Sequence, residues 1–439
     1  MKVLMHAARI ICNKFLLEDH ARNPSHSPVG DLPNGPGCLS NPKIPFMINV
    51  TKLLCGTPED TDFLCFSVGQ PAPKAGPQRR PVVVWNITRR CNLRCGQCYS
   101  DSSAKHYPGE LSLQQCIDVI DDLADYQVPA VVLSGGEPML HPHFFDLAGY
   151  AVARGLRIMV STNGTRIDLH SAQRLKDLGV AYVGISLTGI GESKDKFRGR
   201  DSASEKAMEA FRHCRGAGQR AGLRITLDRR TAGQLPGVLR LIEEEDIPRV
   251  CFRHLVYGGR GENPGPLPAS EARSALRMIA DAAVRWNREG HTREVVTMDQ
   301  PADGAFFWLT MLRKNPERAK KIWSVLSGND ADILSSGLGI SNIDSLGNVH
   351  PDQYWQEHTL GNVKERAFSR IWSSNQDELL SGLRNRLPRL QGRCAECRFK
   401  EVCGGGFRVR AFQKFGDPWA EDPGCYLRDH EIEPAGLPA

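Results

Sequence analysis

The sequence predicts an α/β protein that begins with a partial (β/α)6 barrel and ends with a cysteine-rich domain. Six short runs rich in β-branched residues occur between residues 81 and 254, and helical stretches separate them. Repeated strand–helix units favour parallel strands joined by right-handed crossovers. Beyond residue 290 this alternation stops, and four cysteines cluster near the C-terminus.

Each strand is predicted from a short β-branched run and each helix from the spacing of its apolar residues. The expected strands are Val82–Ile87, Ala130–Leu133, Arg157–Ser161, Val180–Leu187, Gly222–Leu227 and Val250–His254. The expected helices include Ser112–Tyr126, Pro142–Ala153, Leu169–Leu178, Ala203–Arg215 and Glu271–Arg288. Gly339–His350 is expected to form a short hairpin that turns at Ser345–Asn348.

Composition limits the class of protein. The chain has 439 residues, of which 41% are hydrophobic and 24% charged, so it is long enough to bury a large core. No apolar run reaches the roughly 18 residues that a membrane helix needs. The run Val3–Leu17 contains three basic or His residues and lacks a small-residue cleavage pattern, which is atypical of a secretory signal. A cytoplasmic protein without a membrane span is therefore expected.

The chain is expected to have five parts. Residues 1–45 are predicted to be a disordered extension, because Pro, Gly, Ser and Asn dominate Ala21–Pro45 without a period. Residues 46–80 regain apolar content and are interpreted as a small appendage with a linker. The barrel is assigned to residues 81–290, a helical bridging segment to 291–338 and the cysteine-rich domain to 339–439.

Fourteen cysteines in a chain without an export signal indicate metal or cluster ligands rather than disulfides. Seven form two groups, and the scattered others, such as Cys116 on an apolar helix face, are expected to be structural. The first group, Cys91, Cys95 and Cys98, follows the first predicted strand, where barrel folds place their chemistry. Structural zinc sites and electron-transfer clusters normally have four protein ligands. Three cysteines would leave one iron of a 4Fe-4S cluster open, with zinc as the alternative.

The spacing CxxxCxxC after a first strand resembles the radical S-adenosylmethionine (SAM) superfamily. That resemblance implies a TIM-like partial barrel, a 4Fe-4S cluster on the three cysteines, and SAM bound at the open iron. Reductive cleavage of SAM would then produce a 5'-deoxyadenosyl radical. Gln97 precedes the third cysteine, where the superfamily usually has an aromatic residue or His.

Further motifs match the superfamily in the expected order along the chain. The cofactor-binding residues that the resemblance implies are Gly135, Gly136, Glu137, Pro138, Asn163, Ser186 and Arg224. The first four look like the GGEP motif, which holds the methionyl amine of SAM. Asn163 follows the third strand, where family members contact the ribose. Ser186 and Arg224, on the fourth and fifth strands, match positions that contact the ribose or the methionyl carboxylate.

The second cysteine group is Cys394, Cys397, Cys403 and Cys425. By spacing alone, four cysteines can form a zinc ribbon or a fully ligated iron–sulfur cluster. Beside a radical SAM barrel, the group resembles the SPASM/twitch extension, which carries auxiliary 4Fe-4S clusters. A full SPASM domain commonly has a cysteine soon after the hairpin, and Gly347–Asp352 has none. One auxiliary 4Fe-4S cluster is therefore expected.

Within the superfamily, the resemblance is strongest to the heme d1 biosynthesis radical enzymes of denitrifying bacteria, and next to the related heme-pathway deacetylases. The stretches that carry it are Val83–Cys91, Phe197–Arg200 and Phe252–Gly261. It implies that the substrate is 12,18-didecarboxysiroheme, from which two propionate side chains are removed. The auxiliary cluster would take the surplus electron when a side chain leaves as an alkene. An electron donor such as flavodoxin or ferredoxin is the implied partner.

A polycarboxylate tetrapyrrole is expected to be bound by Arg side chains through charge-assisted hydrogen bonds. The candidates are Arg89, Arg90, Arg198, Arg253, Arg260 and Arg408, and His254 or His350 could reach a substrate iron. Two other functions stay open, a peptide-modifying radical enzyme and a cysteine-rich protein that binds RNA. Aromatic residues make up only 7% and charges are mixed throughout, which argues against nucleic acid as a partner.

Overall fold

A computed structural model describes residues 47–56, 80–187, 189–190, 203–262, 267–327 and 335–433. The predicted disordered extension, residues 1–45, lies outside these residues, as does most of the predicted linker before residue 80. None of the described helices combines the length and the apolar character that crossing a bilayer demands.

One mixed sheet organises the described residues. Its strands are β1 Met47–Asn49, β2 Val82–Thr88, β3 Val131–Gly135, β4 Ile158–Thr162, β5 Tyr182–Ser186, β6 Ala221–Leu227, β7 Arg249–His254, β8 Glu294–Met298, β9 Ile340–Ile343, β10 Asn348–His350 and β11 Gly361–Asn362. Their spatial order is β1-β8-β7-β6-β5-β4-β3-β2-β9-β10-β11. β2 through β8 pair in parallel with their sequence neighbours, which confirms the six predicted strands and the α/β class.

The described helices are α1 Val50–Cys55, α2 Leu113–Asp125, α3 Phe144–Ala153, α4 Leu169–Asp177, α5 Ala203–Gly216, α6 Arg229–Glu244, α7 Ala269–Arg288, α8 Ala302–Lys314, α9 Pro316–Ser327, α10 Phe368–Trp372, α11 Glu378–Arg384, α12 Gly392–Glu396, α13 Lys400–Cys403, α14 Arg408–Phe415 and α15 Asp429–Ile432. Helices α2 to α7 connect successive strands from β2 to β8. A capping box between Ser112 and Gln115 starts α2, and the helix buries Cys116 in the core as predicted.

The barrel sheet continues past residue 290, where the sequence placed the end of the barrel. β8 lies within the segment expected to be only a helical bridge, and it pairs in parallel with β7. The predicted hairpin is present as β9 and β10, yet β9 pairs in parallel with β2 and extends the same sheet. Edge strands carry unpaired N–H and C=O groups, and pairing at both edges satisfies them.

Residues 47–56, within the predicted appendage, pack against the barrel sheet. β1 pairs antiparallel with β8, and α1 buries Val50 and Leu53. The Thr51 hydroxyl donates to the Arg293 carbonyl at 2.9 Å. Arg318, on α9, donates to two carbonyl oxygens near the end of α1. This segment therefore covers an edge of the sheet.

We expect removal of residues 1–56 to lower the melting temperature strongly, whereas removal of residues 1–45 should leave it near that of the full chain. Each fully buried Val or Leu side chain contributes about 1.5–3 kcal/mol, and the longer deletion removes Val50 and Leu53 as well as a paired strand. Thermal unfolding of the two truncated proteins, reconstituted side by side, measures the difference. Equal melting temperatures would contradict the assignment of β1 and α1 to the barrel.

Candidate functional site

A cavity of about 280 Å³ lies at the carboxyl ends of the barrel strands. Its wall contains the last residues of β3, β4, β5 and β7 and the loop that follows β2. Parallel barrels place their reactive groups at this end, because the loops after the strands converge there. The predicted cysteine group and most of the predicted cofactor-binding residues line this one cavity.

The thiols of Cys91, Cys95 and Cys98 face the cavity together. Burial raises the pKa of the Cys91 thiol to about 12, and the charges of Glu137, Cys95 and Cys98 act in the same direction. Thiolates crowded in a buried loop need a compensating cation, and metal binding is the usual condition under which such thiols lose their protons. The loop is therefore suited to hold a metal centre.

Hydrogen-bond donors surround these sulfurs. Asn163 Nδ2 donates to Cys91 Sγ at 3.8 Å, and the Leu93 amide donates to the same sulfur at 3.4 Å. The Ser102 amide donates to Cys98 Sγ at 3.5 Å. Such N–H donors stabilise cluster thiolates and tune the reduction potential of the cluster. Asn163, predicted to lie near the ribose, thus lines the cavity and also contacts a cysteine.

Arg260 fastens the cysteine loop to the segment after β7. Its Nε donates to the Cys95 carbonyl at 2.9 Å, Nη2 donates to the Ser102 carbonyl at 2.9 Å, and Nη1 pairs with Asp101. Its backbone amide donates to the Cys98 carbonyl at 2.9 Å. All three side-chain nitrogens of Arg260 have partners within the protein. Arg260 therefore positions the loop and has no pair of nitrogens left to bind a substrate carboxylate.

The glycines of the GGEP sequence let two backbone segments approach closely. Gly135 has φ +138°, and a Cβ there would collide with the Thr88 carbonyl oxygen. A Cβ on Gly136 would collide with the carbonyl oxygens of Arg89 and Arg90. Both glycines line the cavity beside the cysteine loop. The turn therefore presents bare backbone to a ligand.

Glu137 is fully buried and is not part of the cavity wall. Its Oε1 accepts a hydrogen bond from Thr162 Oγ1 at 2.8 Å, and its Oε2 accepts from the Asn163 amide at 2.8 Å. Burial raises the pKa of this carboxyl group. In the structure Glu137 orders the loop after β4, whereas the resemblance placed it on the methionyl amine of SAM. Pro138 is buried next to it and begins a 3-10 turn.

Arg224, on β6, carries a guanidinium without a carboxylate partner among the described residues. Its Nη2 donates to Ser161 Oγ at 2.6 Å and to Ser186 Oγ at 3.2 Å. Its Nε is buried and has no hydrogen-bond partner. Burial, followed by the nearby charge of Arg253, lowers the pKa of Arg224. A cation left unpaired at a cavity wall fits an anionic ligand such as the carboxylate of SAM.

Two predicted substrate residues, Arg253 and His254, sit at the end of β7 and line the cavity. Arg253 already holds a carboxylate, because Nε and Nη2 lie 2.8 and 3.2 Å from the two oxygens of Asp299. It also donates to Tyr354 Oη at 2.5 Å. The two nitrogens of Arg253 that could bind a substrate carboxylate are therefore already bound to Asp299. Arg198 lies outside the described residues.

Sequence reasoning missed the residues that close this wall. Tyr99 and Tyr354 line the cavity and meet edge to face, with ring centroids 5.1 Å apart. Asp299, which neutralises Arg253, comes from the segment after β8. Tyr99 directly follows Cys98, whereas Asp299 and Tyr354 are far away in the chain and reach this place only through the fold.

The four tail cysteines surround a second, small cavity of about 20 Å³. Cys394 lies on α12, Cys397 follows that helix, Cys403 ends α13 and Cys425 lies before α15. Burial raises the pKa of the Cys425 thiol to about 12 and that of Cys403 well above its usual value. The charges of the other three cysteines raise the pKa of Cys403 further. The structure thus brings together all four residues that the spacing singled out.

Arg408, a predicted substrate residue, instead lies inside the tail. It is fully buried, and its Nη1 donates to the Pro418 and Ala420 carbonyls. Its Nε and Nη2 have no partner among the described residues. Burial raises the pKa of the Cys394 thiol, and the charge of Arg408 acts in the opposite direction. A buried cation with two unpaired N–H nitrogens beside four thiols fits an anionic, thiolate-ligated centre.

Among the described residues, no three His, Cys, Asp or Glu side chains are arranged to hold a single metal ion. Thiolates around one zinc would lie about 3.8 Å apart, given Zn–S bonds of about 2.3 Å. The cysteine sulfurs of a four-iron cluster lie further apart, because each binds a different iron. All seven donors are thiolates, a soft ligand set that suits an iron–sulfur cluster.

A barrel of parallel strands with three cysteines and a buried Arg facing one lumen fits the class of enzymes that the sequence motifs indicated. Residues 85–263 match the family model described as the Radical SAM superfamily. The chain is 42% identical over 398 residues to an Fe-coproporphyrin III synthase of Methanosarcina barkeri, covering 88% of this chain and 99% of that protein. The chain belongs to the radical SAM superfamily, whose enzymes use SAM and a 4Fe-4S cluster.

Another relative is a pre-heme d1 synthase of Dinoroseobacter shibae, which is 42% identical over 356 residues and covers 79% of this chain and 86% of that protein. Among solved structures, Streptococcus suis SuiB bound to S-adenosylmethionine is similar, with a TM-score of 0.61 and 16% identity. The match covers 79% of this chain and 78% of that chain, and it shows the shared fold.

Proposed function

We propose that this enzyme removes peripheral carboxylate side chains from the iron tetrapyrrole 12,18-didecarboxysiroheme, taking two propionates in heme d1 biosynthesis. The observation that supports the proposal best is the 42% identity to a pre-heme d1 synthase across 86% of that protein. The cavity also supports it, because the cysteine loop, Arg224 and His254 all line the same cavity. SAM and an iron tetrapyrrole could therefore meet there.

In this proposal Cys91, Cys95 and Cys98 hold the open cluster, and Gly135 and Gly136 present backbone to the methionyl part of SAM. When bound, the cluster and SAM supply the 5'-deoxyadenosyl radical. The protein orients SAM and excludes water. Arg224, held by Ser161 and Ser186, would bind the carboxylate of SAM. A primary alkyl radical attacks any nearby C–H bond, so the radical must form inside the barrel lumen rather than at the protein surface.

Cys394, Cys397, Cys403 and Cys425 are proposed to hold the auxiliary 4Fe-4S cluster. The buried charge of Arg408 and the Phe399 amide, which donates to Cys397 Sγ at 3.4 Å, would stabilise it. When bound, this cluster would supply an acceptor for the surplus electron after hydrogen abstraction. The electron that starts the reaction would come from a donor such as flavodoxin or ferredoxin.

Replacing Arg224 by Met is expected to weaken SAM binding about 10- to 100-fold, since hydrogen bonds to charged groups contribute about 1.5–3 kcal/mol. The measurement is equilibrium binding of SAM to the reconstituted, unreduced enzyme. Arg240→Met, on the exposed side of α6, serves as the matched control and should bind SAM as the wild type does. Unchanged affinity in Arg224→Met would contradict the assigned carboxylate site.

A second reaction deserves a test because the Fe-coproporphyrin III synthase is equally similar, at 42% identity, and its match spans 99% of that protein. In this alternative the same tetrapyrrole loses acetate rather than propionate side chains, as the resemblance to the heme-pathway deacetylases implies. Both reactions need the same cofactors and differ in which substituents of the ring face SAM.

Anaerobic incubation of the reconstituted enzyme with dithionite, SAM and 12,18-didecarboxysiroheme tests the proposal. Mass spectrometry of the tetrapyrrole is expected to show the loss of two propionate groups, and the loss of acetate groups would assign the alternative. A matched incubation without SAM should leave the substrate unchanged. Formation of 5'-deoxyadenosine with no change to the tetrapyrrole would contradict both assignments.

A further inference from the structure

His254 is held in an unusual way for a residue on a cavity wall. Its Nε2 lies 3.0 Å from Asp303 Oδ2, and its side chain is 10% exposed. Asp303 is fully buried in the first turn of α8. An ionised carboxylate only accepts hydrogen bonds, so Nε2 carries the proton that is donated to Asp303. In the neutral ring that donates from Nε2, the lone pair is on the other nitrogen, Nδ1.

Nδ1 of His254 has no hydrogen-bond partner among the described residues, and it does not belong to their buried, unsatisfied atoms. His254 lines the same cavity as Cys91 and Arg224. Nδ1, with its lone pair, is therefore the ring nitrogen left to a ligand in that cavity. A histidine that served only to neutralise Asp303 would not need this second nitrogen open.

The orientation of the ring is fixed from a second side. Tyr426 donates from its hydroxyl to Asp303 Oδ1 at 2.5 Å, and its ring stacks on His254 with centroids 6.1 Å apart and an interplanar angle of 10°. Asp303 thus accepts from both residues, and neither ring can rotate without losing a bond. Histidines that bind metals are commonly held in this way, with the second nitrogen donating to a carboxylate.

We infer that His254 Nδ1 is the axial ligand of the substrate iron, with Asp303 and Tyr426 as positioning residues. The inference rests on the proposed iron-tetrapyrrole substrate and adds the group that fixes where its ring sits. Binding the iron anchors the centre of the macrocycle, so the side chains at its rim reach the SAM end of the cavity. It also explains how a ring can be bound although Arg253 and Arg260 are occupied.

His350, the other candidate, lies elsewhere. It is fully buried on β10, is not part of the cavity wall, and its Nδ1 is 2.7 Å from the His358 carbonyl oxygen. Its ring is therefore engaged in holding the loop after the hairpin. His254 is the histidine that the geometry makes available.

The test uses the oxidised holoenzyme, whose 4Fe-4S clusters are EPR-silent, with ferric coproporphyrin III and metal-free coproporphyrin III as probes. The wild-type complex is expected to show a nitrogen-ligated ferric signal in EPR and visible spectra. His254→Gly should lose that signal, added imidazole should restore it, and affinity for the iron probe should fall about 10- to 100-fold. Affinity for the metal-free probe should stay within about twofold of wild type, because it offers no iron to bind.

His291→Gly, an exposed histidine before β8, is the matched control and should keep the wild-type signal. His254→Gln, whose amide can still donate to Asp303, repeats the test if the glycine variant is unstable. A wild-type signal that persists in either His254 variant, or a wild-type complex without nitrogen ligation, overturns the inference and leaves the proposed function standing. Failure of the wild type to bind either probe counts against the proposed substrate itself.

Discussion

Replacing Cys95 by Ala is expected to reduce 5'-deoxyadenosine formation to background. Cys95 lies in the cavity wall with Cys91 and Cys98, and two cysteines cannot hold the cluster in the geometry that leaves one iron open. The measurement is quantification of 5'-deoxyadenosine after anaerobic incubation with dithionite and SAM. Iron analysis of the same sample should fall from about eight to about four atoms per chain, because the tail cluster is untouched.

The control for this variant is Cys214→Ala, which removes a fully buried thiol from α5, away from both cysteine groups. It should lose little stability and keep wild-type cleavage of SAM. If Cys95→Ala cleaved SAM at the wild-type rate, the open cluster could not be on this loop.

Replacing Cys397 by Ala is expected to block turnover of the tetrapyrrole while sparing cleavage of SAM in the absence of substrate. The physical reason is separation of the two groups: the tail cysteines line their own cavity, and the radical site shares none of its cysteines with them. Parallel assays of 5'-deoxyadenosine without substrate and of tetrapyrrole products with substrate measure the two effects. Loss of both activities together would contradict a role that begins after hydrogen abstraction.

The metal in the tail can be identified in a variant that lacks Cys91, Cys95 and Cys98. After reconstitution this variant should retain about four irons, the number in one 4Fe-4S cluster. One zinc and no iron would rule out the auxiliary cluster. Cys55→Ala, a half-buried thiol on α1, is a suitable control for effects of cysteine loss in general.

The structure places the two cysteine groups on either side of one polar network. His254 faces the barrel cavity, Asp303 lies behind it, and Tyr426 directly follows the tail residue Cys425. A parallel connection runs from Asp299 through Arg410 to Asp422, which lines the tail cavity. Buried hydrogen bonds therefore connect the barrel cavity with the cavity of the proposed auxiliary cluster. A substitution that breaks one of these bonds is expected to alter the geometry of both cavities.

Local patterns were enough to predict much of the barrel and both cysteine groups. The strands from β2 to β7 were predicted because short β-branched runs alternated with amphipathic helices, and each such run is a few residues long. The cysteine loop was predicted because its three cysteines lie within eight residues of one another after a strand. Both signals are local in sequence, so they can be recognised without knowledge of the fold.

The boundaries of the domains needed the structure. β1 and β8 were missed because a three-residue edge strand and a strand without a following βα unit carry little periodicity. They were recognised only once their partners were in place, since β1 is a strand by virtue of its pairing with β8. The tail hairpin was predicted correctly, but its parallel pairing with β2 depends on residues far away in the chain.

By itself the sequence determined the α/β barrel, the two cysteine groups and the GGEP turn, because the residues that form each of them are close together in the chain. Only the tertiary structure decided which cationic side chains are available to a ligand. Arg253 is neutralised by Asp299, 46 residues away, and Arg260 by a loop 159 residues away. Burying an unpaired charge costs several kcal/mol, so a buried Arg pairs with the carboxylate or carbonyl group that the fold places next to it. Such pairing depends on long-range contacts that no local spacing records.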